Sequence, residues 1–294
     1  MTHSFERWRA QGKSFSFRGH VIFFQHAVTT GAGPQLLLVH GLPTSSWDYH
    51  RLWPALEARC ASLLAPDMLG FGFSAKPAAH AYSISEQADM HEELLRAHGI
   101  TRYKMIAHDY GATVGQELLA RHAEREAAGD TSLRLEGVCL LNGGLFPETH
   151  RPLLIQRLML TALGPFLSRL LTYRSFARSF SQVFGAQTQP SEDELKDFWR
   201  LIIHNDGKRE LYRLFHYIPE RRQRRARWVG ALRETRVPLL LVNGPVDPVS
   251  GAHMVERYRE LVPNPDVVSL PGIGHYPHVE DPEGVLRALE KLLV

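Results

Sequence analysis

Asp109, Asp247 and His275 are the residues of this chain whose types and placing could carry a reaction. Asp109 stands in Ala107-His108-Asp109-Tyr110-Gly111, between a short apolar run and a stretch with small residues at Gly111, Ala112 and Gly115. Small side chains let a helix start directly beneath a sharp strand-to-helix turn, the requirement that the G-x-S-x-G nucleophile elbow meets. Here a carboxylate fills the nucleophile slot. It can attack an electrophilic saturated carbon and form an alkyl ester on the protein, which water must then cleave. His275, in Pro271-Gly272-Ile273-Gly274-His275-Tyr276-Pro277, follows the last predicted strand; imidazole titrates near neutrality, which suits it to take a proton from that water. Asp247, in Gly244-Pro245-Val246-Asp247-Pro248, is expected to accept the other imidazole N–H and steady the imidazolium. Glu148, which follows the preceding strand, is the alternative orienting acid.

These residues need a scaffold that delivers strand ends to one place. Phe15 to Val28 reads as two strands around a bend at Arg18 to His20. Apolar runs at Leu36–Val39, Ala61–Ala65, Met105–Ala107, Gly137–Leu141, Pro238–Val242 and Val267–Leu270 each stop at a polar or glycine-rich loop, as strands buried on both faces do. Helical stretches lie between most of them, around Trp47–Arg59, Ser85–His98, Gly111–Arg125, Ala252–Leu261 and Glu283–Leu293. Ser83 and Glu86 have capping-box spacing, and Gly99 is a helix stop. Strand–helix alternation predicts an α/β fold with a mostly parallel, doubly wound sheet. From Phe146 to Val237 the pattern is helical without a strand, too long for a structureless loop, so it is expected to form an inserted helical cap. The expected division is a core over 1–145, a cap over 146–236 and the rest of the core over 237–294. The core should include Leu37, Leu38, Val39, Leu63, Leu64, Ile106, Val138, Leu140, Leu239, Leu240, Leu241 and Val268.

The elbow resembles that of α/β-hydrolases with an aspartate nucleophile, the epoxide hydrolases and haloalkane dehalogenases. The likeness extends to His40-Gly41-Leu42-Pro43-Thr44-Ser45-Ser46 and to the segment Pro66-Asp67-Met68-Leu69-Gly70-Phe71-Gly72-Phe73-Ser74-Ala75-Lys76-Pro77. Asn142 to Pro152 and Arg227 to Leu232 look like one branch of these hydrolases. The order Asp109, Asp247, His275 is the nucleophile–acid–histidine order of that fold. The resemblance implies an oxyanion hole from the backbone N–H groups of Leu42 and Tyr110. It also implies a cap phenol at Tyr217, which would protonate the alkoxide of an opened epoxide, with Tyr173 a weaker second candidate. The dehalogenase pattern has Asn and Trp where this chain has Leu42 and Tyr110. The expected reaction is therefore epoxide opening to a diol, with dehalogenation, another hydrolysis through the same carboxylate, or a non-catalytic interaction protein as alternatives.

Composition narrows the partners. The formal net charge is +3, and Arg221, Arg222, Arg224, Arg225 and Arg227 are clustered, so no long nucleic-acid footprint is expected. That run is expected to be a solvated cap-helix face. Cys60 and Cys139 are the two cysteines, and the sixteen histidines show no ligand spacing, so neither metal nor cofactor is expected. Gly70-Phe71-Gly72 lacks the setting of a dinucleotide fingerprint. Asp67, His40 and His108 are expected to organise turns and backbone. The start of the chain lacks a signal-peptide pattern and no run approaches a membrane span, so a cytoplasmic protein acting with water on a small apolar electrophile is expected.

Overall fold

The computed structural model describes residues 4–293. Among the described residues the strands β1 (Lys13–Phe17), β2 (His20–Val28), β3 (Gln35–Val39), β4 (Ser62–Pro66), β5 (Arg102–His108), β6 (Arg134–Leu141), β7 (Leu239–Asn243) and β8 (Asp266–Ser269) form one sheet. Its order is β1-β2-β4-β3-β5-β6-β7-β8. The pairings β1–β2 and β2–β4 are antiparallel and all others parallel. Hence β3, β5, β6, β7 and β8 end on the same edge, where parallel α/β sheets collect their functional loops.

The apolar runs form the centre of the sheet: Leu37, Leu38, Val39, Leu63, Leu64, Ile106 and Leu241 are essentially inaccessible. Leu239 and Val268 are only half-buried: Leu239 opens β7 ahead of its first pairing with β8, and Val268 lies on β8, the sheet's edge. Arg18 and Gly19 both take positive φ, which makes the tight β1–β2 reversal. The expected helix over Trp47–Arg59 is broken into a 3-10 turn, Ser46–Tyr49, and a short helix, Trp53–Glu57, whose first turn holds Pro54. Ser83 does cap the helix Ile84–Ala97, accepting the Glu86 N–H. The Glu86 carboxylate instead turns to His80 and Arg18, so the reciprocal half of that box is not made.

The helix Phe5–Gln11 has no counterpart in the sequence reading. Its Phe5 and Trp8 are buried against Trp47 and Trp53, with ring centroids 5.0–5.5 Å apart. Two buried aromatics in one short helix are too few to show a period, although each contributes roughly 2–3 kcal/mol of burial.

Between β6 and β7 the chain is helical: Leu154–Met159, Gly164–Leu170, Tyr173–Ser181, Glu192–Ile203, Gly207–Leu214, Tyr217–Gln223 and Arg225–Glu234. This is the inserted cap. Gln116 ties it to the core, donating to the Leu145 and Trp228 carbonyls. The arginine run is only in part the solvated face expected: Arg222 and Arg224 are exposed, and the other three are engaged. Arg221 is buried over the Tyr217 ring and donates to the Gly144 carbonyl. Arg225 pairs with Glu148, and Arg227 with Glu117 and Glu124.

Candidate active site

β5 ends at His108, and Asp109 makes the turn into the helix Tyr110–Ala127 with φ 48° and ψ −108°. Such a conformation is costly for a residue with a side chain and persists only where its surroundings enforce it. They do so here by close approach. A Cβ on Gly111 would lie 2.4 Å from the His40 carbonyl oxygen, and one on Gly41 would lie 2.6 Å from His108 Nδ1. The glycines thus let the β3 loop, the elbow and the helix meet, and the nucleophile-slot side chain is thrust off the sheet edge.

The Asp109 carboxylate is 7% exposed as a residue and is asymmetrically held. Its Oδ2 accepts the Leu42 N–H at 3.2 Å, and the backbone N–H of Tyr110 helps to lower the carboxylate's pKa. Its Oδ1 is 3.7 Å from His275 Nε2. Burial raises the Asp109 pKa, opposed by the His275 charge, the Leu42 N–H and the Arg221 charge.

On the other side of the ring, His275 Nδ1 donates to Asp247 Oδ2 at 2.7 Å. That oxygen also accepts Ser250 Oγ at 2.7 Å and Asn142 Nδ2 at 2.9 Å, while Oδ1 accepts the Val249 N–H at 2.7 Å. Burial alone would lift the Asp247 pKa, but the imidazolium and these donors hold it down at about 2. Burial alone would lower that of His275, but the Asp247 charge and hydrogen bond, then the Asp109 charge, raise it to about 9. The resting arrangement is an imidazolium between two carboxylates, one fixed by four donors and one facing a cavity.

Several residues that shape this arrangement escaped the sequence reading. Asn142 joins the end of β6 to the Asp247 loop: its Oδ1 accepts the Gly244 N–H at 2.7 Å while its amide serves Asp247. Glu280 gathers the histidine loop, accepting N–H groups from Gly185, Gly274 and Tyr276 and the Thr188 hydroxyl. The His275 N–H donates to the cap carbonyl of Val183 at 2.8 Å, so cap and loop are stitched together. Asn142 could have been found as an amide between a strand and Gly143-Gly144. Glu280 carried no signal beyond being an acid near His275.

His108 donates its Nε2–H to the His275 carbonyl at 2.8 Å, and His40 accepts the Met68 N–H at 2.9 Å, both backbone-organising as expected. Asp67 accepts the N–H groups of Ser46 and Phe73, a turn role. Asp48, His108 and His278 offer donor atoms within 4.8 Å of one another, all buried. These are the residues that could surround a small ion, and their derivation from three separate chain segments hides them from motif reading.

The cavity over Asp109 spans about 760 Å³ of empty space, the open solvent at its mouth included. Its wall is largely apolar, from residues such as Leu153, Met159, Leu171, Phe176, Phe180 and Phe215 of the cap, above Leu42 and Pro43 of the core. Polar side chains enter it from Asp109, Gln156, Ser179, His275 and Tyr276. Gln156 folds back to accept the Leu153 N–H through Oε1, leaving its amide nitrogen as a donor.

Other expected site residues lie elsewhere. Tyr217 is buried on the Asp109 side of the cap, where that carboxylate helps to raise its pKa, after burial. Its ring packs between Tyr110, at 4.8 Å, and the Arg221 guanidinium, and it is not on the cavity wall. Tyr173 gives its hydroxyl to Glu192 at 2.7 Å, outside the cavity, because its helix turns that side toward the next cap helix. Glu148 cannot orient His275: it is exposed and held by Arg225 and Arg257, while Asp247 occupies the imidazole.

Residues 34–282 match the alpha/beta hydrolase fold family. The mesoderm-specific transcript protein of Mus musculus is 43% identical over 288 residues, covering 96% of this chain and 85% of that protein. LipZ of Mycobacterium tuberculosis is 37% identical over 294 residues, 99% of this chain and 98% of that one. The crystal structure of Cfl2 from Burkholderia cenocepacia superposes with a TM-score of 0.79 at 19% identity, covering 96% and 95% of the two chains. With a carboxylate on the elbow, backbone donors beneath it and an Asp–His pair beside it, the chain belongs to the α/β-hydrolase family, in the branch that places aspartate in the nucleophile position.

Proposed function

We propose that the protein hydrolyses a small apolar epoxide to a diol through an ester on Asp109. The observation that carries this reading is the division of labour between the two carboxylate oxygens: Oδ2 accepts the Leu42 N–H and Oδ1 faces His275 at the cavity floor. Oδ1 attacks a ring carbon, the carbon–oxygen bond breaks, and the alkoxide is protonated at the expense of the resting His275 imidazolium, which leaves that ring neutral. Water then attacks the ester carbonyl carbon while His275 accepts its proton. The oxyanion develops on the oxygen that the Leu42 N–H holds, with the Tyr110 N–H as the second donor in this reading, and collapse returns the proton to the departing diol. Esterification removes the negative charge that helps to raise His275, so its pKa falls from about 9 as the base is needed.

The choice of an epoxide rests on the donors present. Halide departure calls for fixed donors at the positions of Leu42 and Tyr110. Leu42 is apolar, and the Tyr110 ring packs on Phe71 and Tyr217 off the cavity wall. Attack from Asp109 sends the leaving oxygen toward the cap, where the Gln156 amide can hold it; Tyr217, close enough to Asp109 to feel its charge, is the phenolic proton source in this reading and reaches that oxygen by a rotation of its side chain.

The test is single-turnover mass spectrometry with matched epoxides and haloalkanes in heavy-oxygen water. Label should enter Asp109 and be absent from the first-turnover diol. Asp109→Ala should form no ester, and His275→Gln should accumulate it. Tyr217→Phe and Gln156→Leu should slow ester formation from epoxides more than from halides. Label appearing in the first-turnover diol but never in Asp109 would reject the covalent route. Faster alkylation by halides would reject the epoxide assignment alone.

A further inference from the structure

From residue 149 to residue 191 the chain has five arginines, Arg151, Arg157, Arg169, Arg174 and Arg178, and no acid. Against a net charge of +3, this segment alone carries more than the whole excess. All five are exposed. They differ in this from Arg225 and Arg227, which glutamates hold.

The same segment exposes apolar bulk. Leu154 is 72% exposed, Phe166 61%, and Leu163 and Leu170 58% each, half of the large exposed apolar side chains among the described residues. Phe166 and Leu170 are four apart on the helix Gly164–Leu170, and Leu163 precedes Phe166 by three, so they form one stripe. The opposite side is committed inward: Ser168 is buried and bonds the Lys208 carbonyl. In the neighbouring helix Leu154–Met159, Leu154 and Arg157 are exposed while Ile155, Gln156 and Met159 line the cavity. One helix thickness separates the catalytic cavity from this surface.

Apolar side chains beside unmatched arginines are the composition of a helix lying in the headgroup boundary of an anionic bilayer. A second copy of this chain fits poorly, since a two-fold contact would bring like-charged arginine sets together. No described helix is long and apolar enough to cross a membrane, so the contact would be superficial. We propose that this cap face docks on an anionic lipid bilayer. Leu154, Leu163, Phe166 and Leu170 enter the acyl boundary, and Arg157, Arg169 and Arg174 meet lipid phosphates. The docking is independent of the reaction assigned to Asp109, and it sets the cavity wall against a reservoir of apolar molecules.

The full chain should float with vesicles of equal parts phosphatidylcholine and phosphatidylglycerol, and much less with phosphatidylcholine alone. Added salt should weaken the binding. Arg157→Gln, Arg169→Gln and Arg174→Gln should each lower partitioning by about fivefold, whereas Arg225→Gln should leave it unchanged. Phe166→Ser combined with Leu163→Ser should reduce it at least as much as one arginine change. Because Cys60 and Cys139 are buried, Phe166→Cys can carry an environment-sensitive dye, whose emission should shift to the blue on anionic vesicles. Failure to float at low salt, or binding indifferent to these substitutions, would overturn the proposal. A concentration-dependent dimer in lipid-free buffer, abolished by the Phe166 and Leu163 changes, would assign the face to self-association instead.

Discussion

The floor of the cavity and its roof are built by different physics. On the floor, Asp109, His275 and Asp247 are fixed by backbone donors, by a strained elbow and by the Asn142 and Glu280 clamps. The roof is a layer of short helices presenting leucine, methionine and phenylalanine, with few polar groups. Charge placed to fractions of an ångström governs which bond is made. Apolar volume governs which molecule is present when it is made. Substitutions on the floor should therefore act on rate, and substitutions on the roof on selection.

Replacing Asp247 with asparagine should have the largest effect. The substituted amide would turn a donor toward imidazole Nδ1, move the ring proton to Nε2 and leave no base for the ester. Ester hydrolysis should fall on the order of 10³–10⁴-fold, with ester formation much less affected, as rapid-quench mass spectrometry would show. The same variant tests the ion pair. His275 is raised from 6.5 to about 9, so its pairing stabilises the fold fully below pH 6.5 and loses that contribution as pH rises through about 9. Denaturant melts of the wild type should show this alkaline loss, and melts of Asp247→Asn should not.

Asn142→Leu comes next. It removes two of the donors and acceptors that hold the Asp247 loop to β6 and strands buried polar groups, at roughly 1–3 kcal/mol. Turnover should drop about ten- to hundredfold, and the pH profile of hydrolysis should shift, which loss of stability alone would not cause. An unchanged profile would move Asn142 from positioning to packing.

How far this floor was legible depends on how local its signals are. The elbow could be read because its reason, small residues under a turn, lies within a few positions of Asp109. Asp247 and His275 could be read because parallel strands deliver their following loops to one edge. Glu280 could not, since its partners come from the cap and its own loop and meet only after folding. Tyr217 met the same difficulty in part: the resemblance put a phenol near the nucleophile, but the packing of Tyr110 and Arg221 decided which way its ring faced. The arginine run was read as free charge because sequence shows where arginines are and not which acids meet them. In the fold, Glu117, Glu124 and Glu148 meet Arg225 and Arg227, Arg222 and Arg224 stay exposed, and five more exposed arginines lie in a segment where they are too spread out to attract notice.

A milder test addresses the roof. Leu171 is half-buried on the cavity wall, and Leu171→Ala should enlarge the space without opening the core. Relative kcat/KM for a longer over a shorter apolar epoxide should rise by roughly tenfold, the order expected for a change of one to three carbon positions in an apolar pocket. The pH dependence of ester hydrolysis should not move. A change in that profile would mean that the roof also sets the charge state of the floor, and the division drawn above would fail.

The smallest effects are expected from Glu148→Gln and Tyr173→Phe. Glu148 is held by Arg225 and Arg257 at the surface, where burial is slight and solvent screens the pairs, and Tyr173 gives one exposed hydrogen bond to Glu192. Surface interactions of this kind contribute about 0–1 kcal/mol. Both variants should alter stability within that range and leave ester formation, ester hydrolysis and their pH profiles unchanged. The result is informative because Glu148 follows β6 directly, where an orienting acid could have stood. Were Glu148→Gln to slow hydrolysis as Asp247→Asn does, the acid serving His275 in solution would differ from the one 2.7 Å from its Nδ1, and the floor would have a second working arrangement.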